Sequence, residues 1–202
     1  MKEAKRILYI ENDKALVKSF REVVKDNAKD VEHERIELTV TYHMEQAKKT
    51  IEKERSFDGY IIDLMLPRNQ EDLDELEKIE EERMGLLNDL IKATNFDSQN
   101  LSNRIIDLRR QIDDVDEEVS RLVDEKGGLE LVKLIAKRHC GKELPDALDV
   151  PVIFWTARVA PEVKDESKEY VEGKYFRWME KPTDEEEVFG ELVKLIALDG
   201  GA

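Results

Sequence analysis

The chain has 202 residues, of which 48 are acidic and 33 basic, so its formal net charge is −15 at pH 7. That excess of negative charge repels phosphate backbones and anionic lipid headgroups, and no basic patch offsets it, so we expect neither nucleic-acid nor membrane binding. The single cysteine, Cys140, cannot form an internal disulfide, and the sequence has neither an apolar leader segment nor an apolar run long enough to span a bilayer. These features predict a cytoplasmic protein.

Composition also predicts an elongated part. Charged residues make up 40% of the sequence and aromatic residues only 6%, a mixture typical of long solvated helices. The length suits one domain of ordinary size together with an appendage. We therefore expect a single globular core and one extended, charged segment.

Strands and helices alternate through the first third of the sequence. The run RILYI is short, apolar and rich in β-formers, and it stops at the acidic residue Glu11. The run GYIIDL is continuously apolar up to Asp63 and is followed by Pro67, which favours a buried strand. The predicted elements are strands at 6–10, 36–40 and 59–64 and helices at 15–28 and 44–54.

The same alternation resumes near residue 127. We predict helices at 129–135, after Pro161 and at 188–196, and strands at 151–156 and 175–179. Five strands alternating with five helices indicate a doubly wound α/β domain with a parallel sheet and right-handed crossovers. Ligands of such sheets bind beyond the carboxyl ends of the strands. The polar residues predicted at those ends are Glu11, Asn12, Asp13, Asp63, Thr156 and Lys181.

The segment 68–127, between the two halves of this pattern, has a different period. From Ile105 to Leu122 the apolar positions step by 3, 4, 3, 4 and 3 residues, which is the spacing of a coiled-coil seam. A less regular apolar helix precedes it, and turn-forming residues lie between the two at 95–100. We predict an antiparallel helical hairpin with about 24 residues per arm, or about 36 Å.

This hairpin is also where the acidity is concentrated. Residues 68–126 include 18 acidic and 9 basic side chains, a net charge of −9 within the total of −15. An insertion with no role of its own is one interpretation, because its two ends can lie close together at a surface loop. Self-association or an unidentified protein partner is the other, because one hairpin buries only part of such a seam.

Five motifs, in this order and spacing, resemble the receiver domain of bacterial two-component response regulators: ILYIEND, FDGYIIDLMLP, GLELVKLI, PVIFWTA and RWMEKP. The resemblance covers residues 1–67 and 128–202, which it identifies as one discontinuous receiver domain. It implies a flavodoxin-like sheet of order 2-1-3-4-5. Residues 68–127 then form an insertion in the loop after the third strand, next to the site that receivers phosphorylate.

The resemblance also implies the chemistry. Asp63 would accept a phosphoryl group from the phosphohistidine of a kinase or of a phosphotransfer protein. Mg²⁺ would balance the converging carboxylates. Lys181 and Thr156 would contact phosphoryl oxygens, and Trp178 would change rotamer on phosphorylation. The implied Mg²⁺ ligands are Glu11, Asn12, Asp63 and the backbone carbonyl of Met65.

The expected function is that of a stand-alone response regulator whose output passes through protein contacts of the hairpin. We expect no enzymatic activity beyond catalysis of its own phosphorylation and dephosphorylation. Asn12 departs from the family, which has a second acidic residue there, so weaker Mg²⁺ binding is expected and a phosphorylation-incompetent scaffold is the alternative. A phosphatase of the haloacid-dehalogenase type is a further alternative, but it would need a second aspartate at the position where this chain has Met65.

Each site residue also has a plainer interpretation when taken alone. Asp and Asn after a strand commonly cap the next helix, Lys181 could be simply exposed, and Thr156 could be a buried β-branched residue. The three histidines, His33, His43 and His139, are predicted to lie at the surface because no carboxylate or cysteine stands at ligand spacing from them.

Overall fold

The computed structural model describes residues 4–27, 35–54, 57–94, 101–140, 150–157 and 175–199. The helix predicted after Pro161 and the turn predicted at 95–100 lie outside these residues. The strands are β1 (Lys5–Ile10), β2 (Ile36–Thr41), β3 (Gly59–Ile62), β4 (Leu66–Pro67), β5 (Val123–Asp124), β6 (Val152–Thr156) and β7 (Phe176–Glu180). The helices are α1 (Lys14–Asn27), α2 (Met44–Lys53), α3 (Gln70–Thr94), α4 (Leu101–Leu122), α5 (Gly127–Cys140) and α6 (Glu185–Asp199).

A five-stranded parallel sheet of order β2-β1-β3-β6-β7 forms the centre of the fold. Counting only its own strands, this is the predicted order 2-1-3-4-5, so the predicted fold class is confirmed. All residues of β3 and β6 are buried, as expected of central strands with helices on both faces. β2, at one edge of the sheet, is only partly buried.

Helices cover both faces of the sheet, because successive side chains of each strand point to opposite sides. Helices α1 and α6 lie on one face and α2 and α5 on the other. On the first face Tyr9 and Phe20 pack against Trp155, with ring centroids 6.2 and 6.0 Å from that of the indole. The second face is filled mainly by aliphatic side chains, which include Leu8, Ile62 and Leu131.

The chain divides into two compact units, Met1–Leu66 with Glu125–Ala202, and Pro67–Asp124. The second unit contains the helical insertion, in which α3 packs along α4. Asp116 accepts a hydrogen bond of 2.6 Å from Arg83, and Arg68 donates to the carbonyl of Arg121, so the two helices run antiparallel. The predicted antiparallel hairpin is therefore confirmed. Within the described part of the chain, no helix combines the length and apolarity needed to cross a membrane.

Candidate functional site

Two carboxylates lie side by side where neighbouring strands end. Glu11 follows β1 and Asp63 follows β3, and these strands are adjacent in the sheet. The sheet hydrogen bonding continues past the strands, because the Asp63 amide donates to the carbonyl of Ile10 at 2.9 Å and the Glu11 amide to that of Thr41 at 3.0 Å. Only 1% of Glu11 and 7% of Asp63 is exposed. Parallel topology thus brings both side chains, largely desolvated, to one edge.

Lys181 joins this pair from the last strand. Its backbone amide donates to the carbonyl of Thr156 at 2.9 Å, which holds the residue beside the end of β6. Its Nζ donates to Glu11 Oε2 at 2.6 Å and to Asp63 Oδ2 at 2.8 Å. The Lys181 side chain is 16% exposed, so both ion pairs are shielded from water. Three residues far apart in sequence therefore form one buried charged cluster.

When Glu11 is ionised, the cluster carries one positive and two negative charges. Burial raises the pKa of the Glu11 carboxyl to about 7; repulsion from Asp63 adds to this, and the Lys181 ammonium opposes it. Burial alone would lower the pKa of Lys181, but the attraction of Asp63 and Glu11 outweighs it and the pKa is raised. The single ammonium therefore does not fully offset the burial of the Glu11 carboxylate and its repulsion from Asp63.

The remaining carboxylate oxygens accept backbone hydrogen bonds. Glu11 Oε1 accepts from the amide of Asp13 at 3.0 Å, and Asp63 Oδ1 accepts from the amide of Met65 at 3.2 Å. Asp13 itself caps α1, because its Oδ1 accepts from the amides of Ala15 and Leu16. The capping interpretation therefore holds for Asp13, whereas Glu11 and Asp63 point into the cluster.

The donor set fits Mg²⁺. Among the described residues no three His, Cys, Asp or Glu side chains are grouped so that they could hold a metal ion together. Mg²⁺ does not need such a cage, because it is usually held by one or two carboxylates and keeps several waters. Glu11 and Asp63 supply two buried carboxylates with a net negative charge, and Asn12, next in sequence and half-buried, carries an amide oxygen.

The remaining predicted site residues also lie near this edge. Thr156 is buried at the end of β6. Trp178 is half-buried in β7 and packs on Phe154, with ring centroids 5.6 Å apart. The neighbouring Trp155 is buried on the other face, and Lys181 Nζ lies 5.8 Å from its ring centroid. Trp155 is therefore placed to report on Lys181.

Sequence reasoning missed Gly128. Its amide donates to the carbonyl of Leu64 at 3.1 Å, and a Cβ at this position would come within 2.6 Å of the Asp63 carbonyl oxygen. Only glycine allows α5 to begin this close to the loop that carries Asp63. The signal in the sequence was the Gly-Gly pair at the start of a predicted helix.

The expectation for one histidine was wrong. His43 is 7% exposed rather than at the surface, and its Nδ1 accepts a hydrogen bond of 3.3 Å from the amide of Gln46, which caps α2. His139 is half-buried and its Nε2 lies 2.8 Å from the hydroxyl of Tyr60. Both histidines have structural roles, and His33 lies outside the described residues.

No protein-family model and no curated protein sequence matches the chain. Solved structures do. It is similar to a CheY-like response regulator receiver domain protein from Methanospirillum hungatei JF-1, with a TM-score of 0.55 and 14% identity over 98% of each chain. It is also similar to the signal receiver domain of an HD domain-containing protein from Pseudomonas fluorescens Pf-5, with a TM-score of 0.53 and 12% identity over 99% of this chain and 100% of the other. A response regulator receiver protein from Sinorhizobium medicae WSM419 has a TM-score of 0.52 and 11% identity over 98% of each chain.

The fold is therefore that of response regulator receiver domains, with a helical hairpin added after the third strand of the sheet. Identities of 11 to 14% establish the fold alone.

Proposed function

We propose that this protein is a signalling receiver that accepts a phosphoryl group on Asp63. The observation that carries the proposal is the contact of the Lys181 ammonium with two buried carboxylates at the carboxyl edge of the sheet. A buried cluster with unbalanced charge is costly to maintain for stability alone. Such a cluster is well suited to binding a phosphoryl group and a divalent cation together.

The chemistry requires one bond to form and one to break. A carboxylate oxygen of Asp63 bonds to phosphorus while the phosphorus–nitrogen bond of a donor phosphohistidine breaks, and the leaving imidazole keeps the electron pair. Lys181, already 2.8 Å from Asp63, balances the charge of the transferred oxygens. Thr156, at the end of the adjacent strand, is the proposed hydroxyl contact. The donor would be a histidine kinase or a phosphotransfer protein.

Mg²⁺ is part of the proposal. When bound, it would neutralise negative charge on the carboxylates and the phosphoryl group and so lower their mutual repulsion. Glu11, Asn12, Asp63 and the carbonyl of Met65 would hold it. The raised pKa of Glu11, caused by burial and then by repulsion from Asp63, supports this assignment, because a nearby divalent cation would offset both effects.

Covalent labelling tests the function. Wild-type protein incubated with acetyl phosphate and Mg²⁺ should gain one phosphoryl group by intact mass, and hydroxylamine should remove it, as it does an acyl phosphate. Peptide mapping should place the modification on Asp63. A folded protein that gains nothing, with Mg²⁺ and over a range of donor concentrations, would contradict the proposal and favour a scaffold that only presents the hairpin.

Asn12→Asp should tighten Mg²⁺ binding. The substitution replaces a neutral amide oxygen with a second charged oxygen next to Glu11, and we expect the Kd for Mg²⁺ to fall roughly tenfold, equivalent to about 1.4 kcal/mol. Titration calorimetry measures this directly. Gln111→Glu makes the same chemical change at an exposed position of α4 and serves as the control. Equal affinities in the wild type and Asn12→Asp would remove Asn12 from the proposed ligand set.

We also propose that residues 1–67 and 128–202 fold as a receiver domain without the hairpin 68–127. Joining Pro67 directly to Gly128 should give a chain that unfolds cooperatively and retains acetyl phosphate labelling. The sheet and both cores are made by residues outside the hairpin, which supports this expectation. Circular dichroism and thermal melting measure the outcome. A shortened chain that is unfolded would show that the hairpin is an essential part of the domain.

A further inference from the structure

Helix α3 carries a second row of apolar side chains besides those buried in the hairpin. Met84 and Ile91 lie seven residues apart, so they share one face of the helix, and Leu87 lies between them on the same face. Met84 is 53% exposed and Ile91 58% exposed, whereas Leu87 is half-buried. Of the buried residues of α3, Ile79 and Ala93 lie on a different face of the helix, whereas Leu73 and Leu76 lie toward its start.

The exposure of these apolar side chains is unusual in this protein. Only three large hydrophobic side chains are exposed in the part of the chain that the structure describes: Met84 and Ile91 on α3 and Ile106 on α4. All three belong to the hairpin, although more of the apolar residues of the described chain lie outside the hairpin than in it. Exposed apolar side chains that cluster on one face mark interaction sites.

The same row continues toward the start of α3 with charge. Glu77 and Glu80 keep the 3-4 spacing that links Met84, Leu87 and Ile91, and both are exposed. We call this row, Glu77, Glu80, Met84, Leu87 and Ile91, the outer seam. It has an acidic end and an apolar end, and α3 as a whole has 9 acidic against 3 basic side chains.

The negative charge of α3 indicates which kind of partner the outer seam can bind. Each of the three basic side chains of α3 is paired with an acidic one: Lys78 with Glu75, Arg83 with Asp116 and Lys92 with Asp89. A second copy of the hairpin would bring another net charge of −9 against this surface and be repelled. A basic partner would be attracted, oriented by the acidic end and anchored by the apolar end.

We propose that the outer seam binds a basic amphipathic helix of a partner protein, as a third helix beside α3 and α4. From Glu77 to Ile91 the seam is about 21 Å long, so a partner helix of about four turns would cover it. Its apolar residues would meet Met84, Leu87 and Ile91, and its Lys or Arg residues would meet Glu77 and Glu80. This inference rests on the expectation, from the sequence, that output passes through protein contacts of the hairpin, and it names the chemistry of the partner.

The test uses the full-length protein and two synthetic helical peptides of about 15 residues, each labelled with fluorescein. One has leucines at 3-4 spacing and lysines elsewhere, and the other has glutamates in place of the lysines. Fluorescence anisotropy should show that the Leu/Lys peptide binds and the Leu/Glu peptide does not. Met84→Gln with Ile91→Gln should weaken binding of the Leu/Lys peptide at least tenfold, and Glu77→Gln with Glu80→Gln should weaken it and reduce its salt dependence.

Ile106→Gln is the matched control, because Ile106 is 63% exposed on α4 and lies outside the outer seam. It should bind the Leu/Lys peptide as the wild type does, and all variants should keep the wild-type helical content. Unchanged binding in Met84→Gln with Ile91→Gln, or an equal loss in Ile106→Gln, would overturn the proposal. So would a homodimer in analytical ultracentrifugation that this double variant dissociates, since the seam would then be covered by a second copy.

The result is independent of the charged cluster. Asp63→Asn should bind the Leu/Lys peptide with the wild-type affinity in the absence of any phosphodonor. Failure of the phosphoacceptor proposal would therefore leave this binding in place, and failure of the outer seam would leave labelling of Asp63 in place.

Discussion

Asp63→Asn should abolish two responses that we expect of the wild type: labelling by acetyl phosphate, and a fluorescence change on addition of Mg²⁺ with beryllofluoride. An amide is a far weaker nucleophile than a carboxylate and cannot form the acyl phosphate. Beryllofluoride mimics the phosphoryl group on the same oxygen. Trp155 should report its binding, because Lys181 Nζ lies 5.8 Å from the indole centroid and contacts Asp63 at 2.8 Å. The expected loss of both signals is complete.

Asp13→Asn is the matched control for this experiment. Asp13 lies at the same edge of the sheet, but its carboxylate caps α1, and asparagine caps a helix about as well as aspartate. The variant should keep both the labelling and the fluorescence change. Labelling that survives in Asp63→Asn, or that disappears in Asp13→Asn, would move the phosphoacceptor to another residue. A fluorescence change that persists without labelling would mean that Trp155 senses Mg²⁺ alone.

Much of the fold could be predicted because its signals are local. The runs ending at Glu11 and Asp63 are continuously apolar, and a strand that is buried on both faces leaves that pattern in the sequence. The alternation of such runs with amphipathic segments restricts the topology to a few doubly wound arrangements. The hairpin could be predicted for the same reason, because the spacing of apolar residues after residue 68 differs from that before it.

What could not be predicted depends on contacts between distant residues. The sequence predicts that Glu11, Asp63 and Lys181 each lie at the end of a strand. It does not predict that one ammonium contacts both carboxylates. The close approach of Gly128 to the Asp63 carbonyl could not be predicted either, because it is a contact between two separate elements of the backbone. The exposed face of α3 could not be predicted for a different reason: the spacing of apolar residues along a helix does not show which of them are buried, and only the exposed fractions of Met84 and Ile91 do.

Lys181→Ala should destabilise the metal-free protein by about 3–5 kcal/mol, because it leaves two buried carboxylates without a counter-charge. Urea unfolding in EDTA measures the loss. Mg²⁺ should restore more stability to this variant than to the wild type, since the cation supplies the positive charge that has been removed. Lys48→Ala is the control: Lys48 pairs with Glu130 at 3.0 Å, but both side chains are exposed, and the loss should stay within about 1 kcal/mol.

The effect of Lys181→Ala should depend on pH in a defined direction. In the folded wild type the pKa of Glu11 is raised from an ordinary value of 4.5 to about 7, so folding favours the protonated carboxyl. The contribution of Glu11 to stability is therefore present below about pH 4.5 and is lost as the pH rises to about 7. Removing Lys181 takes away the charge that opposes this shift. The loss of stability should accordingly be larger at pH 8 than at pH 5, and Glu11→Gln should remove most of that difference. A loss that is equal at both pH values would show that Lys181 stabilises the fold through packing rather than through its charge.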